Sequence, residues 1–414
     1  MNRSAASREA RISYTPVSKD DVAPIGTGPL PAWPYHREAF YKAEVEAVFR
    51  QSWLHVGRLS ELPRPGDFIV RPIEVLKASV LIVHGKDGVI RAFHNVCMHR
   101  GTRLVEETAG NAPLFRCRYH MWTYETDGRL RGVPDAANFF DLDKDTCNLV
   151  PVALETCAGF MFVNLDEHRS TSLKDFLGEW HARLEDLPVG DGGIFSEYTY
   201  EVEANWKTTY DNFQEIYHGR SVHEKSIGTR NMVPENPFGY PTRYTVEPGS
   251  RHRSKTLWFN QDYQPDPVEA QALAINRAHM ATLPVTPGAG STEHFYIYPN
   301  LTLLSVRSNT FTQTIWPLGP ERSRGVVRQY WPDADSKASL RFAREWQLAS
   351  LLDIHSEDRD IIESAHVGLR SGAAKVVHFQ VHEAMLRHSH LAVVDAVRSY
   401  LRTQGRDLED LAHD

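Results

Sequence analysis

The chain has 414 residues, 41% of them hydrophobic and 24% charged, with a formal net charge of -7. This composition is typical of a globular protein, and the acidic balance argues against nucleic acid as a partner. No run approaches the roughly 20 apolar residues that cross a bilayer, and the start lacks the apolar stretch of a signal peptide, so we expect a cytoplasmic protein without a membrane span.

The order of predicted elements indicates an α+β protein of two packed units. Residues 15–35 are rich in Pro and Gly and predict a mobile tail or an extended arm, and a helix follows, so residues 1–50 form an N-terminal tail and helix. Short, turn-separated β-rich runs predict a small all-β domain over 51–166. Helical stretches near 173–186, 205–218, 266–283, 340–370 and 380–402 alternate with strand-like runs. We therefore predict a larger domain of helices on an antiparallel sheet over 167–414.

Two short motifs in the all-β region predict a metal centre. Cys97 and His99 form a C-x-H motif, and Cys117 and His120 form a C-x-x-H motif after 17 intervening residues. A Rieske [2Fe-2S] cluster binds one iron through two cysteines and the other through two histidines, so each loop would contact both irons. A single zinc ion is the alternative, although zinc motifs usually pair cysteine with cysteine and histidine with histidine.

Other residues near these motifs have two interpretations. Gly101 and Gly128 suit tight turns beside a cluster, and Trp122 could shield it from water, but ordinary turn and core roles fit equally well. Cys147 and Cys157 have no histidine at matching spacing, and we predict buried structural thiols. Four cysteines are too few for a disulfide scaffold in a chain of this length.

Residues 205–223 predict a second site on a helix that Asn205 begins and Gly219 ends. At 100° per residue, one stripe of the helix is aromatic and would bury it: Trp206, Tyr210, Phe213 and Tyr217. The opposite side carries three ionisable groups: Asp211, Glu215 and His218. His223 follows the glycine, where a chain reversal could return it toward His218. A solvated polar face is the structural alternative.

A third ligand is predicted in residues 356–369. Ser356 could cap a helix whose apolar stripe contains Ile361, Ile362, Ala365 and Leu369, and Asp358 projects from the middle of that stripe. A buried carboxylate is costly unless it is paired or binds metal, and two histidines with one carboxylate suit a mononuclear iron. A salt bridge from Asp358 to an arginine is the alternative. We interpret Glu357, Asp360 and Glu363 as solvated charges or helix-dipole partners.

These residues resemble the large catalytic subunits of Rieske non-haem iron oxygenases, the aromatic-ring-hydroxylating group. The resemblance runs through "FRQSWLHVGRLSELPRPGDF", "IRAFHNVCMHRG", "CRYHMWTYETDG", "GFMFVNLD", "NWKTTYDNFQEIYH", "YPNL" and "SEDRDIIESAHVGL". It implies the same seven ligands that the residues themselves suggest: Cys97, His99, Cys117 and His120 for the cluster, and His218, His223 and Asp358 for mononuclear Fe(II).

The resemblance also implies a carboxylate three residues before the first iron histidine, which links it to a cluster histidine of a neighbouring subunit. Glu215 occupies that position, and we take Glu215 and Asp211 as catalytic candidates. Aromatic-ring dioxygenases typically have aspartate there, whereas glutamate is more similar to members that act on quaternary ammonium compounds. A link across subunits implies a homotrimer, with or without a small beta subunit.

The implied function is oxidation of a small organic substrate with O2 and electrons from NAD(P)H, delivered by a separate flavin reductase, a ferredoxin, or both. We expect an aromatic substrate, with mono- or dioxygenation. The alternative within the class is a monooxygenase that oxidises or demethylates a quaternary ammonium or N/O-methyl compound. Outside the class, a Rieske electron carrier without catalysis and a zinc-stabilised binding module remain open.

Overall fold

The structure is a computed structural model that describes residues 14–187, 194–247, 249–280, 290–306, 309–331 and 337–412. Within these ranges, none of the helices combines the length and apolar character that crossing a membrane requires. The first 13 residues of the predicted N-terminal tail and residues 281–283 of a predicted helix lie outside the described ranges.

The elements of the first half, in chain order, are α1 Lys19–Val22, β1 Leu30–Pro31, α2 Glu38–Glu44 continuing as a π-helix Val45–Arg50, β2 Leu54–Arg58, β3 Asp67–Ile73, β4 Ala78–His84, β5 Ile90–His94, β6 Ala109–Asn111, β7 Phe115–Arg116, β8 Thr123–Tyr124, β9 Leu130–Gly132, β10 Pro151–Cys157, β11 Phe160–Asn164, α3 Leu173–Leu177 and α4 Glu179–Glu185. The second half contains β12 Ile194–Val202, α5 Trp206–Asn212, α6 Gly219–Val222, β13 Arg243–Val246, β14 Arg253–Trp258, α7 Pro267–Met280, β15 Ser291–Ile297, β16 Leu301–Val306, β17 Asn309–Gly319, β18 Arg322–Tyr330, α8 Ala338–Arg370, β19 Val376–Val377 and α9 Ala384–Thr403. Short 3-10 turns complete the described chain: Ala23–Ile25, Trp33–Tyr35, Leu59–Glu61, Glu74–Leu76, Ala136–Asn138, Lys144–Cys147, Val381–Glu383 and Leu408–Leu411.

Two antiparallel sheets of seven strands organise the molecule. The first has the strand order β2-β11-β10-β5-β4-β3-β6, with a separate three-stranded sheet β7-β8-β9 beside it. The second has the order β12-β18-β17-β16-β15-β14-β13, and the helices α5 and α8 contact its strands. The predicted α+β class, a small all-β unit followed by helices on an antiparallel sheet, is confirmed.

Strand β11 contacts both units, since each of its two faces is buried in a different hydrophobic core. Successive side chains of a strand point to opposite faces. Met161 and Val163 enter a core that also contains residues of α2, α5 and α9, whereas Phe160 and Phe162 enter a second core with α3, α4 and residues of the second sheet. The first sheet is therefore packed against the rest of the molecule on both sides of this strand.

The N-terminal segment is a packed arm, so the predicted mobile tail or extended arm is wrong: it contains α1, two 3-10 turns and β1, and Val17 and Val22 are buried against Met385. Leu30 and Pro31 pair with Val377 and Val376 near the C-terminus. The guanidinium of Arg387 donates hydrogen bonds to the carbonyl oxygens of residues 25, 27 and 28. These backbone contacts fix the arm against α9.

Two predicted helix boundaries are wrong. The helix expected over 205–218 begins at its Asn205 cap but ends at Asn212, and Gly219 starts α6 instead of ending a helix. The carbonyl oxygen of Phe213 accepts hydrogen bonds from the Nζ of Lys255 (3.5 Å) and the hydroxyl of Tyr296 (2.9 Å). It therefore does not accept the backbone hydrogen bond that a longer helix would require. Ser356 does not begin a helix, because α8 runs unbroken from Ala338 to Arg370.

Candidate metal centres

The two predicted cluster loops have the same backbone pattern. The amide of Cys97 bonds the carbonyl of Thr102 (2.8 Å), and the amide of Gly101 bonds the carbonyl of Cys97 (3.0 Å). In the second loop, the amide of Cys117 bonds the carbonyl of Trp122 (2.8 Å), and the amide of Met121 bonds the carbonyl of Cys117 (2.9 Å). The two loops therefore present their cysteines and histidines in matching geometry.

Each loop reverses through a residue with positive φ. Gly101 has a φ of 73°, which suits glycine, and Met121 occupies the matching position at 63°. Gly128, in the turn after β8, has a φ of 88°, and a Cβ built there would lie 2.5 Å from the Phe93 ring. The turn roles predicted for both glycines agree with these dihedral angles, whereas no sequence pattern indicated the positive φ of Met121.

In the two loops, the cysteine side chains contact each other and the histidine rings contact each other. The thiols of Cys97 and Cys117 are buried and interact with each other, and the rings of His99 and His120 lie with centroids 4.5 Å apart. The indole of Trp122 stacks on His99 at 4.9 Å and covers one face of that imidazole. Its role in shielding a cluster from water stays a prediction. Two sulfurs on one side and two imidazoles on the other fit the two irons of a Rieske cluster better than one tetrahedral zinc ion.

One buried nitrogen supports this fit. His99 Nδ1 is buried and has no hydrogen-bond partner among the described residues, as expected for a nitrogen that binds metal. Burial raises the pKa of the Cys97 thiol, and a bound iron would favour the thiolate instead. The hydroxyl of Tyr124 lies 3.5 Å from Cys97 Sγ and accepts a hydrogen bond from the amide of Met98, a contact that the motif did not indicate.

His218, His223 and Asp358 meet in the second unit. The two Nε2 atoms are 3.2 Å apart, and Asp358 Oδ1 lies 3.4 Å from Nε2 of His218 and 3.0 Å from Nε2 of His223. We call these three residues the triad. Asp358 is 2% exposed, and its Oδ1 has no hydrogen bond of acceptable geometry among the described residues. Three ligand atoms around one point, one of them an unsatisfied carboxylate oxygen, fit a mononuclear metal ion.

The charges of the triad favour a cation. Burial raises the pKa of Asp358, but His218 and His223 outweigh burial and hold this pKa below its usual range. Burial lowers the pKa of His218, but Asp358 and Glu215 raise it to about 9. Without a metal these groups pair with one another, and among the described residues the ion pairs of Asp358 are with His218 and His223 instead of the arginine of the alternative interpretation.

The turn between α5 and α6 places the first triad histidine. His218 is the N-cap residue of α6, and Glu215 contacts both the His218 Nδ1 and the amide of Tyr217. The buried Lys255 Nζ lies 3.3 Å from the carbonyl of Glu215. Tyr217, expected to bury a helix, is 50% exposed because the helix has already ended.

The interpretation of Glu357 as a solvated charge is wrong. Its Oε2 lies 2.8 Å from Nδ1 of His223 and accepts a hydrogen bond from the hydroxyl of Ser226. The apolar stripe predicted for this helix is also wrong, since Ile361 is 48% exposed and the buried positions are His355, Asp358, Ile362 and His366. These four residues follow helical spacing, but two histidines and an aspartate among them hide the pattern from a hydrophobicity analysis.

Asp211 lies in a different network from Glu215. Its carboxylate accepts hydrogen bonds from the hydroxyl of Tyr35 (2.6 Å) and the side-chain Nε2 of Gln214 (3.3 Å). The Oε1 of Gln214 in turn accepts from Nε of Arg253 (2.8 Å). Burial raises the pKa of Asp211 to about 7, although Tyr35 opposes this effect. The contacts tie the N-terminal arm to α5, and a catalytic role for Asp211 stays a prediction.

The remaining cysteines differ from each other. Cys157 is buried, and its thiol donates to the carbonyl of His181 at 3.6 Å. Burial raises the pKa of this thiol to about 12, as expected for a structural cysteine. The buried thiol predicted for Cys147 is wrong, since this residue is only half-buried.

Comparisons with known proteins match two separate segments of the chain. A family model described as Rieske [2Fe-2S] domain matches residues 52–152, and one described as ring hydroxylating alpha subunit (catalytic domain) matches residues 192–399. The carnitine monooxygenase oxygenase subunit of Acinetobacter pittii is 36% identical over 191 residues, 46% of this chain and 51% of the relative. The glycine betaine monooxygenase oxygenase subunit of Pseudomonas aeruginosa (strain UCBPP-PA14) is 32% identical over 202 residues, 48% of this chain and 46% of the relative.

The matches to these curated relatives thus span about half of their length. Among solved structures, a quaternary ammonium Rieske monooxygenase in complex with L-carnitine aligns with a TM-score of 0.72 at 23% identity, over 93% of this chain and 99% of that one. At this identity the likeness establishes the fold alone. Both sets of candidate ligands fall inside the segments that the two family models match.

Proposed function

The chain belongs to the ring-hydroxylating alpha-subunit family, and on that premise we propose that it is the terminal oxygenase component of a multicomponent Rieske system. One observation carries the proposal: a single chain presents both a two-cysteine, two-histidine donor set on paired loops and a two-histidine, one-aspartate set around one point. An electron carrier needs only the first set, and a zinc-stabilised binding module needs neither the second set nor its buried carboxylate.

Different residues would bind the cluster irons and the mononuclear iron. Cys97 and Cys117 would hold one iron of a [2Fe-2S] cluster, His99 and His120 the other, and the triad a single Fe(II). When bound, the cluster supplies electrons one at a time and the ferrous ion activates O2. The triad would hold its ion through three donor atoms, fewer than a non-haem iron binds, so O2 could also bind there. Trp122 excludes water from one face of His99.

Electrons would come from NAD(P)H through a separate flavin reductase, with or without a ferredoxin. Glu215, in contact with His218 Nδ1, has a carboxylate that can also accept a hydrogen bond from a cluster histidine of another subunit. The hydrophobic core around the cluster loops is built only from residues between 68 and 149, so within the described chain it is separate from the core that supports α5. A homotrimer that brings the two centres together across subunits fits this arrangement.

Replacing Glu215 with glutamine tests that link. We expect E215Q to retain both metals, because neither centre uses Glu215 as a ligand, and to lose at least about 100-fold in turnover, because a neutral amide cannot replace the carboxylate between two imidazoles. Iron content and NAD(P)H-dependent turnover measure the two effects. Normal turnover in E215Q would rule out this path.

We propose a quaternary ammonium substrate in preference to the aromatic one that we expected from the sequence. Two lines support the change: the carnitine and glycine betaine activities named for the relatives, and glutamate at position 215.

A substrate panel tests this choice. Purified protein with a surrogate reductase is supplied with carnitine, glycine betaine and naphthalene, and oxygen uptake is measured together with product. We expect coupled turnover with a quaternary ammonium compound, in brown protein with about three irons per chain. Coupled turnover with naphthalene alone would restore the aromatic assignment, and colourless protein that contains zinc would reject the oxygenase.

A further inference from the structure

We propose that Glu357 is a positioning residue that fixes the ring of His223 for metal binding. This inference rests on the proposed function, since it assumes that the triad binds a metal. The Nδ1 of His223 lies 2.8 Å from Glu357 Oε2, on the side of the ring opposite the Nε2 that faces Asp358 at 3.0 Å. One imidazole is thus held between two consecutive carboxylates of α8.

The chemistry of imidazole explains why this contact matters. A neutral histidine carries one proton, and the nitrogen without it binds the metal. A carboxylate acceptor at Nδ1 keeps the proton there, which leaves the lone pair of Nε2 pointing at the triad centre. Glu357 therefore selects the tautomer of His223 that can act as a ligand.

Glu357 is itself held in place. The hydroxyl of Ser226 donates to the same Oε2 at 2.5 Å. Ser226 belongs to the turn that follows His223, where the amides of Ile227 and Gly228 both bond the carbonyl of His223 at 3.0 Å. The turn and α8 are therefore joined through one carboxylate oxygen, and rotation of the His223 ring would break the contact.

The position of Glu357 on α8 follows from helix geometry. Consecutive helix residues project about 100° apart, so Asp358 can face the triad centre while Glu357 reaches around the His223 ring. The Glu357 side chain is 26% exposed, whereas that of Asp358 is 2% exposed. His218 has an equivalent arrangement, because Glu215 contacts its Nδ1. Both histidines of the triad thus have a carboxylate behind them.

Equilibrium binding of Co2+ tests the inference without substrate or reductase. Protein that retains its Rieske cluster is stripped of mononuclear iron by a chelator, dialysed against Co2+, and its bound cobalt is counted, which separates the added metal from the cluster irons. We expect E357A to weaken Co2+ binding about 10- to 100-fold. E357Q should lose less, because its amide oxygen can still accept from Nδ1.

Asp360→Asn is the matched control, since Asp360 is an exposed acid one turn further along α8, and we expect it to bind Co2+ as the unmodified protein does. Thermal unfolding of the metal-free variants separates loss of the site from loss of the fold. If E357A does not fold, S226A carries the test, with about fivefold weaker binding expected from loss of one hydrogen bond to a charged group.

Unchanged Co2+ affinity in E357A, or in S226A where E357A does not fold, would overturn the inference. An equal loss in D360N would also overturn it, because the effect would then come from general charge. A chain that binds Co2+ as expected but oxidises no substrate would leave the role of Glu357 intact and reject only the proposed function.

Discussion

In each triad histidine the two ring nitrogens have different partners. One nitrogen faces the triad centre, and the other contacts a carboxylate, Glu215 for His218 and Glu357 for His223. Asp358 completes the centre from the buried side of α8. A buried carboxylate costs free energy of folding unless it is paired or binds a metal. Loss of Asp358 should therefore affect the mononuclear metal and leave the cluster unchanged.

Replacing Asp358 with alanine should remove the mononuclear metal and leave the Rieske cluster. The ion would keep two imidazole ligands and lose its only carboxylate among the described residues, so we expect iron to fall from about three to about two per chain. Iron analysis together with the visible absorption of the cluster measures this. Retention of the third iron would assign the carboxylate ligand to another acid.

Asp211 predicts a pH dependence of stability. Burial raises its pKa from the usual 3.8 to about 7, so between these values the folded chain binds more protons than the unfolded chain. Its contribution to the free energy of unfolding therefore falls as pH rises from about 4 to about 7, by at most about 4 kcal/mol. D211N removes the titrating group. As pH rises from about 4 to about 7, the unmodified protein should therefore lose stability relative to D211N.

Denaturant unfolding at several pH values measures that difference. Exposed Asp360→Asn serves as the control and should show no such trend. A stability difference between D211N and the unmodified protein that stays constant from pH 4 to pH 7 would contradict the prediction.

At the scale of elements, short turns decide where ligands stand. The two cluster loops use the same pair of backbone hydrogen bonds although their motifs differ in length by one residue. The early end of α5 places His218 at the start of α6, and an unbroken α8 brings Asp358 and Glu357 to the same site. Changes that alter a turn without touching a ligand should therefore disturb a centre.

Gly128→Ala tests this for the turn after β8. The new Cβ would lie 2.5 Å from the buried ring of Phe93, at a φ of 88° that disfavours any side chain, so we expect a loss of about 2 to 3 kcal/mol in the free energy of unfolding. Gly88→Ala is the control, because Gly88 has a φ of 80° but no atom within 4 Å of the added carbon.

G88A should cost only the backbone part, about 1 kcal/mol. Denaturant unfolding of both variants, followed by the visible signal of the cluster, measures the difference. Equal stability losses in G128A and G88A would show that Phe93 can move aside.

At the scale of the whole molecule, one continuous core joins the parts. It contains residues of α2 and its π-helical extension, both sheets, α5 and α9. The core around the cluster loops is separate from it among the described residues and contains only residues of the all-β unit. The expectation that electrons pass between subunits comes from the resemblance of Glu215 to the family's bridging carboxylate.

Mixed assemblies test that expectation. C117S should lack the cluster, D358A should lack the mononuclear metal, and neither should be active alone. Co-expression with two different tags and tandem purification isolates oligomers that contain both chains. If electrons cross subunits, these oligomers should recover measurable turnover, whereas inactivity of oligomers with both centres intact in different chains would show that transfer stays within a chain.

The sequence was enough to predict the α+β fold class, which the structure confirms, and to propose the cluster residues and the triad, because metal ligation restricts residue type and spacing so strongly that few alternatives remain. It did not determine where α5 ends, since Lys255 and Tyr296 lie within hydrogen-bond distance of the Phe213 carbonyl and this tertiary contact overrides helix periodicity. Only the tertiary structure brought Glu357 to His223. These residues are far apart in the chain, and a surface glutamate and a carboxylate behind a ligand look the same until the helix packs.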